Sequence, residues 1–190
     1  MDLLHLFNAG GFMMYPLLIA SVIVVAIFIE RFKYYRSVKS DMDKLVKEIP
    51  EYLASHDTEG LKAALKKDGG IPASIVLAGA EHLSMKANQT AIVEGAAAHA
   101  AGLLKAYLNY LDVIVTLSPL MGLLGTVVGM IGSFNVLSVA EGQPFAITGG
   151  VAEALVCTAT GLFVAIIALI AYTYLSQQVA NFVSQMEKLG

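Results

Sequence analysis

The chain has 190 residues, of which 57% are hydrophobic and only 14% charged, with 12 Lys+Arg against 15 Asp+Glu and a mean hydropathy of +0.70. A water-soluble domain is about 45–50% apolar and about 25% charged, so this balance excludes a soluble enzyme, a disordered chain and a secreted disulfide scaffold. The net charge of −3 leaves no basic surface to neutralise phosphates, which speaks against a nucleic-acid partner. The single cysteine, Cys157, can form no internal disulfide.

Three stretches, Phe12–Ile29, Val113–Leu137 and Ile147–Leu175, contain one charged residue between them, Glu153. The rest of the chain carries charge at close to the soluble frequency. A bilayer core about 30 Å thick takes about 20 apolar residues in a helix, so each stretch reads as a span. The expected fold is an all-α membrane protein with three transmembrane helices, the second and third long and extending into a helical cytoplasmic domain.

Residues 1–29 are expected to form an external N-terminus and the first span. That span lacks a basic leading region and is followed by Arg31, Lys33, Arg36 and Lys39, the wrong polarity for a cleaved signal peptide. It reads as a retained anchor. The segment Glu30–Tyr110 holds eleven of the twelve basic residues, and Lys188 is the twelfth. The excess of Lys and Arg marks the cytoplasmic side, so the N-terminus is expected outside, residues 30–110 inside, the 139–146 connection outside and the tail 177–190 inside.

Within the cytoplasmic loop, Ser40-Asp41-Met42-Asp43 can open a helix through Leu45, Val46 and Ile49, which Pro50 then stops or kinks. Asp57 to Lys67 predicts a second helix ending at Asp68-Gly69-Gly70, and Pro72 precedes a third, mostly apolar one. From Asn88 a helical face of Ile92, Ala96, His99, Leu103, Leu104 and Leu108 predicts a rod that runs without a break into the second span.

The second span, expected over 111–138, carries glycines at 122, 125, 129 and 132, one continuous seam containing a Gly-x-x-x-Gly. Glycine weakens a helix, so four on one face point to close backbone approach, either to another subunit or within one chain. Pro119 is tolerable where neighbouring helices satisfy the carbonyl it frees. The third span, expected over 147–176, contains Glu153, the one ionisable group at membrane depth. Such a group faces a cavity or partner, or else reaches outer water as an interfacial acid. Thr126, Thr158 and Thr160 can each bond their own helix backbone, and Cys157 reads as a small packing residue. The four histidines (His5, His56, His82, His99) lie outside the spans without metal spacing.

No Walker-type loop, Ser/His or Cys/His pair, or metal cluster is visible, so neither an enzyme nor a cofactor or metal site is expected. One carboxylate near the outer edge cannot carry a proton across about 30 Å. If protons cross, another chain must supply a carrier at mid-membrane.

Ser118-Pro119-Leu120-Met121-Gly122-Leu123-Leu124-Gly125-Thr126-Val127-Val128-Gly129-Met130, followed by Gly150-Val151-Ala152-Glu153-Ala154-Leu155-Val156-Cys157-Thr158-Ala159-Thr160-Gly161-Leu162, resembles the signature of the MotA/TolQ/ExbB proton-channel family. The opening Gly11-Phe12-Met13-Met14-Tyr15-Pro16-Leu17-Leu18 with Ile29-Glu30-Arg31 is similar to the first span of its ExbB and TolQ branch. The resemblance implies a ring, a homopentamer, in the bacterial inner membrane. Its second and third spans would line a pore holding ExbD- or TolR-like single-span partners, each bringing one aspartate. It further implies that Thr126 and Thr158 are the pore hydroxyls that meet this aspartate and Glu153 a pore-side acid. The work would pass to a periplasm-spanning TonB- or TolA-like protein, for TonB-dependent outer-membrane transport or for a TolQ-like role in envelope maintenance. A passive scaffold is the competing reading. Two departures stand out. Where the family often has a proline, this chain reads Ala165-Ile166-Ile167-Ala168, and Cys157 stands where a small residue or threonine is common.

Overall fold

The computed structural model describes residues 10–82, 89–139 and 144–189. The expected external N-terminus before Gly10, with His5, and the centre of the 139–146 connection lie outside the described residues. Among the described residues seven helices follow in order: α1 (Met14–Ser37), α2 (Met42–Ala54), α3 (Thr58–Asp68), α4 (Ile71–Glu81), α5 (Gln89–Lys105), α6 (Leu108–Val139) and α7 (Pro144–Leu189). Among the described residues three segments, built on α1, on α5–α6 and on α7, are long and apolar enough to cross a membrane. The chain divides into two compact units, one of residues up to Phe28 with Tyr107–Thr173, the other of Ile29–Ala106 with Tyr174–Gly190.

The first unit has the inside-out composition of a membrane bundle. Val22, Ile23, Leu120, Leu123, Phe163, Ile166 and Ile170 are exposed, while Ala154, Cys157, Ala168, Ser118 and Ser133 are buried. Lipid tails are as apolar as leucine, so nothing drives large side chains inward. Helices instead approach through small residues and gain dispersion contacts backbone to backbone.

In the second unit α2, α3 and α4 pack around Leu45, Leu61, Leu65, Ala73 and Ala80, with Ile49, Tyr52, Val76 and Leu77 against them. Local chemistry sets the ends. Asp41 accepts from the Lys44 N–H at 3.3 Å and Asp57 from the Gly60 N–H at 2.9 Å, each supplying a partner for an orphan donor of a first turn. Gly69, at φ 68°, closes α3 in the left-handed conformation and returns its N–H to the Leu65 carbonyl. Pro50 does not stop α2, which continues to Ala54.

Between α2 and the α3–α4 corner, Asp68 accepts from the Asp41 and Gly70 N–H groups, both at 3.2 Å. Burial by itself would raise its carboxyl. These bonds, one from Ser40 and the nearby Lys44 outweigh burial and hold it below the usual carboxylate range.

The rod expected from Asn88 into the second span is interrupted. α5 ends at Lys105, α6 starts at Leu108, and Tyr107 between them has φ 66°. No Gly or Pro marks this position, and a bulky residue adopts the left-handed region only when its surroundings impose it. At the break the Leu103 carbonyl still accepts from the Ala106 N–H at 3.3 Å, and α1 brings side-chain donors to it and to the next carbonyl. Arg31 Nη1 donates to the Leu103 carbonyl at 3.0 Å, and the Tyr35 hydroxyl donates to that of Leu104 at 2.7 Å. Both side chains are buried. Burial pushes the Tyr35 phenol up to about 12, the nearby Arg31 guanidinium offsetting part of the rise.

Candidate functional site

The expected glycine seam packs within the chain along most of its length. A Cβ on Gly122 would stand 3.1 Å from the Thr158 Cα and 3.2 Å from the Cys157 carbonyl oxygen. One on Gly125 would run into the Cys157 side chain and lie 3.5 Å from the Met13 Cβ, and one on Gly129 would meet the Gly150 carbonyl at 3.1 Å. Three of the four glycines are thus occupied by α7, antiparallel to α6. Gly132 has open space among the described residues. Sequence inspection passed over the counterpart on the opposite helix. A Cβ on Gly161 would sit 2.6 Å from the Ser118 carbonyl and 3.0 Å from the Gly122 Cα. Its spacing of four from Cys157 was the available signal, since i and i+4 share a helix face.

Closeness of this order brings side-chain hydroxyls to carbonyls across the contact. Thr158 Oγ1 donates to the Gly122 carbonyl at 3.2 Å. Thr126 lies one helical turn after Gly122 and is half-buried, its hydroxyl donating to the Leu123 carbonyl of its own helix at 2.6 Å. The two threonines singled out from the sequence therefore attach to the carbonyls of consecutive residues of α6, Gly122 and Leu123. Each uses its proton on a backbone carbonyl and keeps oxygen lone pairs to accept a further bond. Thr160 is satisfied locally by the Val156 carbonyl at 2.9 Å. Beside them Ser118 is buried, its hydroxyl without a partner among the described residues, next to Pro119, which cannot donate to the carbonyl four residues earlier.

Glu153 is placed differently. It is half-buried, and a Cβ built on Gly11 would collide with its carboxylate. Gly11 has φ 68°, so the backbone there both takes a conformation suited to glycine and leaves room that a side chain would fill. Glu153 and Thr158 are five residues apart, about 140° around the helix axis, so they do not share a face. α7 also starts at Pro144, earlier than the expected Ile147. Glu153 is then about 14 Å along the helix, past the first turn where the macrodipole acts most strongly. Glycines 11 and 125, Met13, Cys157 and Glu153 form the junction where the entry to α1 meets α6 and α7.

The MotA/TolQ/ExbB proton channel family model matches residues 55–188. The Synechocystis sp. protein named ExbB-like 3 is 32% identical over 192 residues, spanning 96% of this chain and 89% of that protein. The Tol-Pal system protein TolQ of Pseudomonas aeruginosa is 45% identical over 74 residues, 38% of this chain and 32% of its own length. Biopolymer transport protein ExbB of Salmonella typhimurium is 37% identical over 75 residues, 39% of this chain and 31% of its own. With its three apolar helices and the small-residue contact between α6 and α7, this chain is a membrane protein of the MotA/TolQ/ExbB proton channel family.

Proposed function

We propose that the chain is the ring-forming subunit of a proton-driven motor in a bacterial inner membrane, a homopentamer that works with an ExbD-like single-span partner to energise TonB-dependent outer-membrane transport. One observation carries the reading: the three apolar stretches hold a single charged side chain, Glu153. A proton path across about 30 Å of hydrocarbon needs a titratable group at mid-depth, so a second polypeptide brings it. In this reading Thr126 and Thr158 face the pore. Their hydroxyl lone pairs receive a hydrogen bond from the partner's protonated aspartic acid, and the proton leaves inward past them. Glu153 draws protons in from the periplasmic side, where the N-terminus lies. Each cycle turns ring and axle relative to one another, driven by about 2.3 kcal/mol per charge per 100 mV, and a TonB-like protein carries the work onward.

Reconstitution tests this. The purified chain alone in liposomes is expected to conduct no protons under an imposed potential, and to conduct them once the ExbD-like partner is included. Selective proton flux through the ring by itself would overturn the reading. Native masses with and without the partner read the stoichiometry.

The local identity of 45% to a TolQ protein supports a second reading, a TolQ-like motor for envelope maintenance. Copurification separates the two: a TonB-type protein for the first, a TolA-type protein for the second.

A further inference from the structure

The apolar run of α1 ends at Ile29 and that of α7 at Leu175. Just beyond these points the second unit contains a cleft of about 350 Å³. Arg36 and Lys39 supply two cations to its lining, Asn181 and Gln185 two amides, and Tyr35 and Phe182, with ring centroids 5.9 Å apart, an aromatic wall. No carboxylate lines it among the described residues, and neither cation is ion-paired there. The Arg36 guanidinium lies 5.9 Å from the Phe32 ring centroid, a contact that leaves its N–H donors available. Asn181 spends its acceptor on Gln177 Nε2 at 3.2 Å, which leaves its amide as a donor. Gln185 Oε1 is the reverse case, a buried acceptor with no hydrogen-bond partner among the described residues. Burying such an atom costs free energy that a ligand's donor would recover.

Two cations and an amide donor suit an acceptor-rich anion, and the orphan acceptor suits a hydroxyl carried by the same molecule. Position narrows the source. Ile29, where the apolar run of α1 ends, is exposed, and so is Tyr174 in the lining, a residue type enriched at the headgroup level of a bilayer. We propose that this cleft is a binding site for a hydroxyl-bearing phosphodiester headgroup, that of a phosphatidylglycerol-type lipid. Arg36 and Lys39 hold the phosphodiester, and Gln185 Oε1 accepts from a glycerol hydroxyl.

The test uses the full chain, delipidated in detergent, with bound lipid counted by native mass spectrometry. The lipids are phosphatidylglycerol, phosphatidylmethanol (the same charge without the hydroxyls) and zwitterionic phosphatidylcholine. Phosphatidylglycerol is expected to bind most tightly and phosphatidylcholine least. Each basic residue near an anionic headgroup is worth about a fivefold gain in affinity. R36Q/K39Q should therefore bind phosphatidylglycerol about thirtyfold more weakly. Arg36→Lys keeps the charge and should keep most of the binding. K33Q/K47Q removes two exposed cations outside the cleft and should leave binding nearly unchanged. Gln185→Leu should erase the preference for phosphatidylglycerol over phosphatidylmethanol. Competition by millimolar glycerol 3-phosphate would assign the same chemistry to a soluble phosphate ester, and its failure to compete assigns it to the lipid. An equal loss in K33Q/K47Q and R36Q/K39Q, or equal binding of phosphatidylcholine, would overturn the proposal.

Discussion

Thr158 donates its hydroxyl proton to the carbonyl oxygen of Gly122, 3.2 Å away on the facing helix. The bond exists because Gly122 has no side chain, so the α7 backbone comes near enough for a short hydroxyl to reach across. It ties the proposed proton path to the packing that builds it, and the two roles are separable by substitution.

Thr158→Val preserves the shape and removes the hydroxyl, whereas Thr158→Ser preserves the hydroxyl. Interhelical hydrogen bonds in membranes are worth about 0.5–1.5 kcal/mol, so the valine variant should assemble with a slightly lowered Tm. Its proton flux in partner-containing liposomes should be lost, and the serine variant should retain flux. A valine variant that conducts normally would restrict Thr158 to packing.

Gly161→Ala and Gly132→Ala make a paired test of the glycine seam. The Gly161 methyl would meet backbone on the opposite helix, which cannot rotate away, so α6 and α7 must separate at a cost of about 1–3 kcal/mol. Gly132 has nothing within 4 Å among the described residues, and alanine there should be neutral or mildly stabilising. Thermal unfolding in detergent should separate the two. Equal destabilisation would place a neighbouring subunit against Gly132.

Tyr35→Phe leaves the buried Leu104 carbonyl without its donor and should cost about 1–3 kcal/mol. The phenol also gives the wild type an alkaline signature. Its pKa rises from 10.0 to about 12 on folding, so the unfolded chain loses this proton first. The contribution is complete below pH 10 and is lost as pH rises through 10 to about 12. Denaturant melts across that window should show a steeper decline for wild type than for Tyr35→Phe.

Asp68 behaves in the opposite sense. Its carboxyl titrates below its ordinary 3.8 when folded, so the unfolded chain binds the proton first on acidification. The stabilisation is present above pH 3.8 and fades as pH falls through the folded value. Asp68→Asn should lower the Tm at neutral pH, with the difference from wild type shrinking in acid. A constant difference across that range would show that the carboxylate charge does not matter at the α2–α3–α4 corner.

The amino-acid order alone determined the features that depend on neighbours in the chain. Apolar run length determined the three spanning stretches, and Asp41, Asp57 and Gly69 determined helix ends, because a cap is chemistry within four residues. The resemblance in the second and third spans placed the family for the same reason, since it is a local pattern. Features that depend on partners distant in sequence waited for the tertiary structure. The seam glycines announced a close approach without naming what approaches, and only the fold shows Cys157, Thr158 and Gly150 occupying three of the four positions. Glu153 is separated from Thr158 by the helical period, yet its placement over Gly11 follows from how the entry to α1 meets α7. The break at Tyr107 has no local signal at all. Just before it Arg31 and Tyr35, some seventy residues earlier in the chain, donate to the Leu103 and Leu104 carbonyls at the end of α5. Propensity is summed over adjacent residues, and a hydrogen bond between distant ones can outweigh it only once the chain has folded.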